Sequence, residues 1–161
     1  MWLEKKIVVV TDFSEPATAA ADMALELGKQ YRVPLVLIHV FGTASPKYEG
    51  VDLTFTSDFF RSVEAAARAA LQREAARLSG QGVTVSIVLN SGVAWERILD
   101  TAKMVDAGLI VMGTHGRRGV PRAVLGSVAE RVVRLSRIPV LTVRGSSDET
   151  QERRQPPRRA G

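Results

Sequence analysis

The chain has 161 residues, of which 45% are hydrophobic, and this is enough apolar material to bury one continuous core. It contains no cysteine and only two histidines, which excludes disulfide scaffolds, Cys/His zinc sites and thiol nucleophiles. The formal net charge of +5 favours an anionic partner, and the basic excess is local, because residues 113–144 carry seven basic groups and one acidic group.

The N-terminal segment passes directly into the apolar run Ile7-Val8-Val9-Val10. This run is far too short to span a bilayer, and the segment lacks a signal-peptide cleavage pattern. The sequence therefore predicts a cytoplasmic protein that does not enter a membrane.

Five short runs rich in apolar and β-branched residues recur along the chain. Most are continuous rather than alternating, as is typical of parallel strands that are covered on both faces. The predicted strands are Lys6 to Thr11, Leu35 to Phe41, Val83 to Leu89, Leu109 to Gly113 and Val140 to Arg144.

Helical patterns separate these strands. The first predicted helix begins after the N-cap residue Ser14 and ends near Gly28 and Pro34, with apolar positions at Ala20, Met23, Ala24 and Leu27. The other three predicted helices are Ser57 to Leu78, Trp95 to Met104, and Ser127 to Arg137, the last with Val128, Val132 and Leu135 on its apolar face.

The alternation of strands and helices predicts one doubly wound α/β domain over residues 1–144. Its five-stranded, mostly parallel sheet should have the order 3-2-1-4-5, with helices on both faces and a topological switch between the first and fourth strands. Residues 42–56 form a polar loop that is a candidate flap. Residues 145–161 contain almost no apolar side chains and are predicted to be a disordered tail.

The segment from Gly113 to Ser127 carries the chemistry. It is a long loop at the carboxyl edge of the fourth strand, beside the switch point, where open α/β sheets bind ligands. Glycines let backbone N–H groups approach a phosphate, and Ser127 begins a helix whose N-terminus favours an anion. Its hydroxyl can either cap that helix or donate to phosphate. The spacing matches neither the Walker A motif nor the Rossmann fingerprint.

Gly113, Gly116, Gly126 and Ser127 fit the pattern G-x-x-G-x(9)-G-[ST] without an insertion. This loop resembles the phosphate loop of the universal stress protein family, and the likeness extends from about Lys5 to Arg144. One difference is expected: the family usually has an acidic residue directly before the fourth strand, whereas here Asp106 lies two positions before Gly108.

The resemblance implies an ATP-binding module of a stress-response or regulatory kind, with Mg²⁺ or Mn²⁺ accompanying the nucleotide. It implies that Asp12 contacts the nucleoside, that Val40 packs near the adenine, and that the loop glycines and Ser127 hold phosphates. The complete candidate site is Thr11, Asp12, Val40, Met112, Gly113, Gly116, Arg117, Gly126, Ser127 and Val128.

Several of these residues could instead have a purely structural or surface role. Asp12 could cap the first helix instead of contacting a ligand. Arg117, Arg118 and Arg122 could neutralise phosphates or form a solvated basic face. Arg131, Arg134 and Arg137 are expected on the surface.

Two alternative functions remain. A slow ATPase or phosphotransferase could use the same pocket, but His115 has no identifiable orienting carboxylate in the sequence. Nucleic-acid binding through the basic segment is disfavoured, because no aromatic residue lies between Gly113 and Gly161 to stack on bases.

The last strand suggests how the protein assembles. The run from Ile138 to Val143 is short, apolar and last in the sheet order. An unpaired strand edge tends to pair with another chain, so a homodimer through this strand is predicted.

Overall fold

The computed structural model describes residues 4–42, 57–115 and 125–145. The predicted flap beyond Gly42, residues 116–124 of the loop and the tail beyond Gly145 lie outside the described residues. The elements in chain order are β1 (Lys6–Val10), α1 (Glu15–Tyr31), β2 (Leu35–Phe41), α2 (Ser57–Ser79), β3 (Val85–Ser91), α3 (Ala94–Met104), β4 (Ala107–Gly113), α4 (Ser127–Leu135) and β5 (Val140–Val143).

The sheet has the order β3-β2-β1-β4-β5, and every neighbouring pair is parallel. The prediction of a doubly wound fold with strand order 3-2-1-4-5 is therefore confirmed. β1 lies at the centre between β2 and β4, with Val8 opposite Val36 on one side and Ile110 on the other. The carboxyl ends of β1 and β4 thus meet at one edge of the sheet, at the predicted switch point.

Each face of the sheet has its own core. On one face, side chains of α1 and α2 such as Ala20, Leu25 and Leu71 pack against alternate strand residues. On the other face, α3 and α4 contribute residues that include Ile98 and Val132. Because helices cover both faces, the central strands are apolar on both sides, which explains their continuous hydrophobic runs. Among the helices of the described residues, none is long and apolar enough to cross a membrane.

Several predicted boundaries were wrong by two residues. β3 begins at Val85 rather than Val83, after a turn in which Gly82 has φ +92°. α4 ends at Leu135 rather than Arg137, because Ser136 already has an extended conformation ahead of Pro139. β4 begins at Ala107 rather than Leu109, so Asp106 does precede the fourth strand directly and the expected difference from the family disappears.

Two residues predicted on apolar faces are exposed. Met23 on α1 is 44% exposed and Leu135 at the end of α4 is 48% exposed. The buried side of α1 is instead formed by small residues around Ala21 and Ala24, and it continues through Gly28. A Cβ at Gly28 would lie 3.1 Å from Leu35 Cδ2, so glycine here allows α1 to pack closely on β2. The helix ends only at Tyr31.

Candidate functional site

The turn between β1 and α1 presents the first site residues. Ser14 caps α1 as predicted, since its hydroxyl accepts a hydrogen bond from the Ala17 N–H at 3.4 Å. Asp12 is not the cap: its Oδ1 accepts hydrogen bonds from the Ser14 N–H at 3.0 Å and from the Ser14 hydroxyl. These bonds orient the half-buried Asp12 carboxylate at the end of β1, beside the switch point.

Gly113, at the end of β4, packs so closely against α1 that a side chain does not fit. A Cβ at this position would lie 2.9 Å from the carbonyl carbon of Pro16 and 3.1 Å from the Ala17 nitrogen. Real Cβ atoms do not approach backbone this closely, so glycine is required for the first turn of α1 to pack against β4. The sequence prediction placed Gly113 in the phosphate loop because a glycine lets backbone N–H groups approach a phosphate, and φ at Gly113 is not positive. Packing against α1 is therefore a reason for glycine here that does not depend on a ligand.

The first turn of α4 forms another wall. Gly126 is the N-cap, with φ −59° and ψ 152°, and its N–H donates a hydrogen bond of 2.7 Å to the Thr114 carbonyl. Ser127 is therefore the first residue of the helix and not its cap. The first intrahelical bond runs from the Glu130 N–H to the Gly126 carbonyl, so the N–H groups of Ser127 and Val128 precede the helical ladder.

A cavity of about 300 Å³ lies between these elements at the carboxyl edge of the sheet. It collects eight of the ten predicted site residues, whereas Gly116 and Arg117 lie outside the described residues. The eight are Thr11, Asp12, Val40, Met112, Gly113, Gly126, Ser127 and Val128. The other lining residues are Val10, Ala17, Ala94, Ile98, Thr114, His115 and Ala129.

The walls of the cavity are mainly apolar. Val10 and Val40 come from β1 and β2, Met112 comes from β4, and Ala94 and Ile98 cover the space from α3. The sequence prediction missed Ala94 and Ile98 because α3 is distant in sequence from both the β1 turn and the loop. Their i, i+4 spacing at the start of α3 was the available signal, since it places both side chains on one face.

Charged groups are sparse in this cavity. Among its lining residues only Asp12 carries a carboxylate, and His115 supplies the one imidazole, whose Nδ1 lies 3.1 Å from the Thr114 hydroxyl. No group of three or more His, Cys, Asp or Glu residues able to hold a metal ion occurs in the described segments. Arg131, Arg134 and Arg137 are on the surface as expected. Arg131 stacks over the Trp95 ring at 5.5 Å, and Arg134 pairs with Glu130.

The Arg77 guanidinium has a raised pKa and lies outside the cavity. Arg77 on α2 donates hydrogen bonds to Glu74 and to Asp22 on α1. The bond to Glu74, followed by the bond to Asp22, raises the pKa of the Arg77 guanidinium, although partial burial opposes this shift. The ion pair with Asp22 connects α2 to α1, and it lies outside the cavity.

Comparison with known proteins identifies the family. The model of the universal stress protein family matches residues 4–144. The chain belongs to this family. A universal stress protein of Methanocaldococcus jannaschii is 32% identical over 148 residues, covering 91% of this chain and 86% of that protein.

Solved structures agree in fold. The structure of MJ0577, another M. jannaschii universal stress protein, has a TM-score of 0.77 at 27% identity, covering 88% of this chain and 96% of that chain. An Archaeoglobus fulgidus universal stress protein solved in complex with dAMP gives 0.62 at 21% identity, covering 88% and 98%. A further family member, solved in complex with cAMP, gives 0.66 at 22%, covering 88% and 97%.

The close approach at Gly113 generates a test. Gly113→Ala should lower the free energy of unfolding by about 1–3 kcal/mol, because the new methyl group must displace the first turn of α1. Gly42→Ala is the matched control, since a Cβ at Gly42 meets no atom of the described residues within 4 Å. The control should change stability by less than about 1 kcal/mol. Urea unfolding of both variants measures the difference, and equal midpoints would contradict the packing role of Gly113.

Proposed function

We propose that this universal stress protein binds ATP in the cavity at the carboxyl edge of the sheet and acts as a nucleotide-dependent regulatory module of the stress response. The observation that carries the proposal is the construction of this one cavity. Its apolar walls come from β1, β2, β4 and α3, and one end is formed by the first turn of α4.

The apolar walls suit a flat aromatic base. Val10, Val40 and Ile98 offer aliphatic surface of the kind that covers a purine in nucleotide pockets. Few charged side chains lie among the lining residues to hold water there. Asp12 lies at the end of β1, with its carboxylate oriented by Ser14. A carboxylate at this place can accept hydrogen bonds from ribose hydroxyls, which agrees with the nucleoside contact implied by the family.

The first turn of α4 suits the phosphates. The N–H groups of Ser127 and Val128 precede the first intrahelical hydrogen bond, and the positive end of the helix dipole lies at the same point. Gly126 is already committed to the Thr114 carbonyl, so we assign it a different role from Ser127: its missing side chain leaves access to the donors that follow it. Gly116 and Arg117 complete the proposed site.

A divalent cation would be held mainly by the nucleotide. Magnesium in such sites is usually bound by one or two protein groups, together with phosphate oxygens and water. Asp12 is the one carboxylate among the residues that line the cavity. This donor set fits Mg²⁺ or Mn²⁺ that arrives with ATP better than a resident metal.

The relatives support an adenine nucleotide. Two family members were solved in complex with dAMP and with cAMP, and both share this fold. These ligands have the adenine ring in common and differ in sugar and phosphate. An adenine subsite bounded by the apolar walls therefore agrees with the relatives, while the choice of ATP depends on the donors of the phosphate loop.

Binding is tested by Gly126→Val. The backbone angles of Gly126 are ones that valine also adopts, so the fold should persist while the branched side chain blocks the approach to Ser127. We expect ATP affinity measured by calorimetry to fall at least about tenfold, with a similar loss in Gly116→Val. Gly42→Val is the matched control and should bind ATP like the unaltered protein. Unchanged affinity in both loop variants would refute the phosphate site.

An ATPase or phosphotransferase is the alternative. Its supporting observation is that His115 lines the cavity and contacts the Thr114 hydroxyl. Efficient phosphoryl transfer needs a group that orients the attacking oxygen and a firmly placed metal. We expect phosphate release with Mg²⁺ or Mn²⁺ to be slower than about one per second. Faster multiple turnover that His115→Ala abolished would establish the enzyme instead.

We also propose a homodimer through β5. The carbonyls of Pro139 and Val143 accept hydrogen bonds from the N–H of Ile110 in β4 and from the N–H of Thr114, which directly follows β4. Alternate residues along β5 therefore face β4. The backbone of Thr142 therefore faces away from β4, at the edge of the sheet. Within the described residues no strand pairs with this edge of β5, and we propose that a second copy does.

Substitution of Thr142 tests the dimer. Thr142→Pro removes an edge N–H without removing a bond to β4, and it should convert the dimer to a monomer by light scattering. Thr142→Val keeps the N–H and should remain dimeric. A monomeric mass for the unaltered protein at micromolar concentration would rule out this assembly.

A further inference from the structure

The turn that carries Asp12 contains one unfavourable conformation. Phe13, the next residue, has φ +64°, in the left-handed region that residues with a Cβ seldom adopt. Such a conformation persists only where its surroundings hold it. Within the turn, the Phe13 N–H donates to the Thr11 hydroxyl at 3.0 Å, and the Ser14 N–H donates to Asp12.

These local bonds do not attach the turn to the sheet. The pairing of β1 with β2 ends where Val10 lies opposite Ile38, and one further backbone bond follows, from the Thr11 N–H to the Ile38 carbonyl at 2.9 Å. Beyond this point the chain leaves the ladder and turns into α1. Side-chain contacts from β2 can therefore add to the backbone pairing in setting the position of Asp12 relative to β2.

His39 on β2 makes two such side-chain contacts with the turn. Its Nδ1 lies 2.8 Å from the Thr11 carbonyl oxygen, which can only accept, so Nδ1 carries the proton and donates. The same ring packs against Phe13 with ring centroids 4.6 Å apart and an interplanar angle of 38°. One side chain thus contacts the turn on both sides of Asp12, through Thr11 and through Phe13.

We propose that His39 is a positioning residue of the nucleotide site, which holds the Thr11–Phe13 turn so that Asp12 and Thr11 face the cavity; this inference rests on the proposed ATP binding. His39 is not among the residues that line the cavity, whereas Thr11 and Asp12 are. It therefore acts through the turn and does not touch the ligand. Its neighbour Val40 lines the cavity directly, so β2 contributes one residue to the wall and one that contacts the turn carrying Asp12.

Three substitutions separate the two contacts. His39→Ala removes both the hydrogen bond and the ring. His39→Asn keeps an N–H donor at a position equivalent to Nδ1 but loses the ring, and His39→Phe keeps a ring but loses the donor. Leu27→Ala is the control for general destabilisation, because Leu27 packs on the core under α1, more than three helical turns from Phe13.

The first readout is ATP affinity, measured by calorimetry well below the unfolding temperature of every variant. His39→Ala should weaken ATP binding about tenfold, as expected for the loss of an interaction that orients a buried carbonyl. His39→Asn should restore affinity to within about threefold of the unaltered protein, while His39→Phe should restore less. Leu27→Ala should lower the unfolding temperature and leave ATP affinity unchanged. Equal affinity for His39→Ala and Leu27→Ala would overturn the proposal.

The second readout does not depend on a nucleotide. The amide resonances of Phe13 and Ser14 in the ligand-free protein should shift in His39→Ala and return toward their original positions in His39→Asn. If the unaltered protein fails to bind ATP, the proposed function fails, while these resonances still report whether His39 holds the turn. Unmoved amide resonances in His39→Ala would refute the positioning role even if ATP binds normally.

Discussion

The geometry of the site depends on how closely the first turn of α1 approaches the end of β4. Because β1 and β4 are neighbours, α1 must leave β1 and pass directly over the terminus of β4. At Gly113 there is no room for a Cβ, which would lie 2.9 Å from the carbonyl carbon of Pro16. α4 leaves the same edge toward the opposite face of the sheet, where Ala129 and Val132 join the second core. The divergence of the two helices opens the cavity between them.

The way the cavity forms explains why its apolar and its polar groups come from different parts of the chain. The strands and α3 provide aliphatic walls, because these positions continue the cores on either side of the sheet. The polar groups come from places where the chain changes direction, at the Asp12 turn and at the start of α4. A ligand with an apolar ring at one end and an anion at the other matches both parts. Recognition then depends on shape and backbone donors more than on charged side chains.

Much of this could be predicted from the sequence, and the reasons are local. Continuous apolar strands separated by helical patterns determine a doubly wound sheet, and the spaced glycines locate the loop at its carboxyl edge. The family resemblance supplied Asp12 and Val40, and the structure places both beside the cavity.

What could not be predicted depends on distances between elements. Met23 fits a helical apolar spacing but is exposed, because the small residues of α1 allow the helix to turn another side toward the sheet. The close approach of Gly113 to the first turn of α1 was not predicted either, because it joins two elements that are distant in sequence. In the sequence, His39 could not be told from an ordinary strand residue. Its contacts with Thr11 and Phe13 join positions that are 28 and 26 residues apart along the chain. No spacing rule contains such contacts.

The proposed regulatory function requires more than nucleotide binding. A ligand changes the state of a protein only if it binds two conformations with different affinity, and the difference must reach a surface that a partner contacts. Thr114 joins the cavity to β5, the strand through which we propose the dimer. It lines the cavity and is buried, its carbonyl accepts from the Gly126 N–H at the start of α4, and its N–H donates to the Val143 carbonyl of the edge strand at 2.9 Å. A displacement of the first turn of α4 that moved Gly126 would therefore act on β5 through a single peptide segment. In the proposed assembly, Thr114 and its two backbone hydrogen bonds would connect the proposed nucleotide site to the edge strand without a change in the central strands.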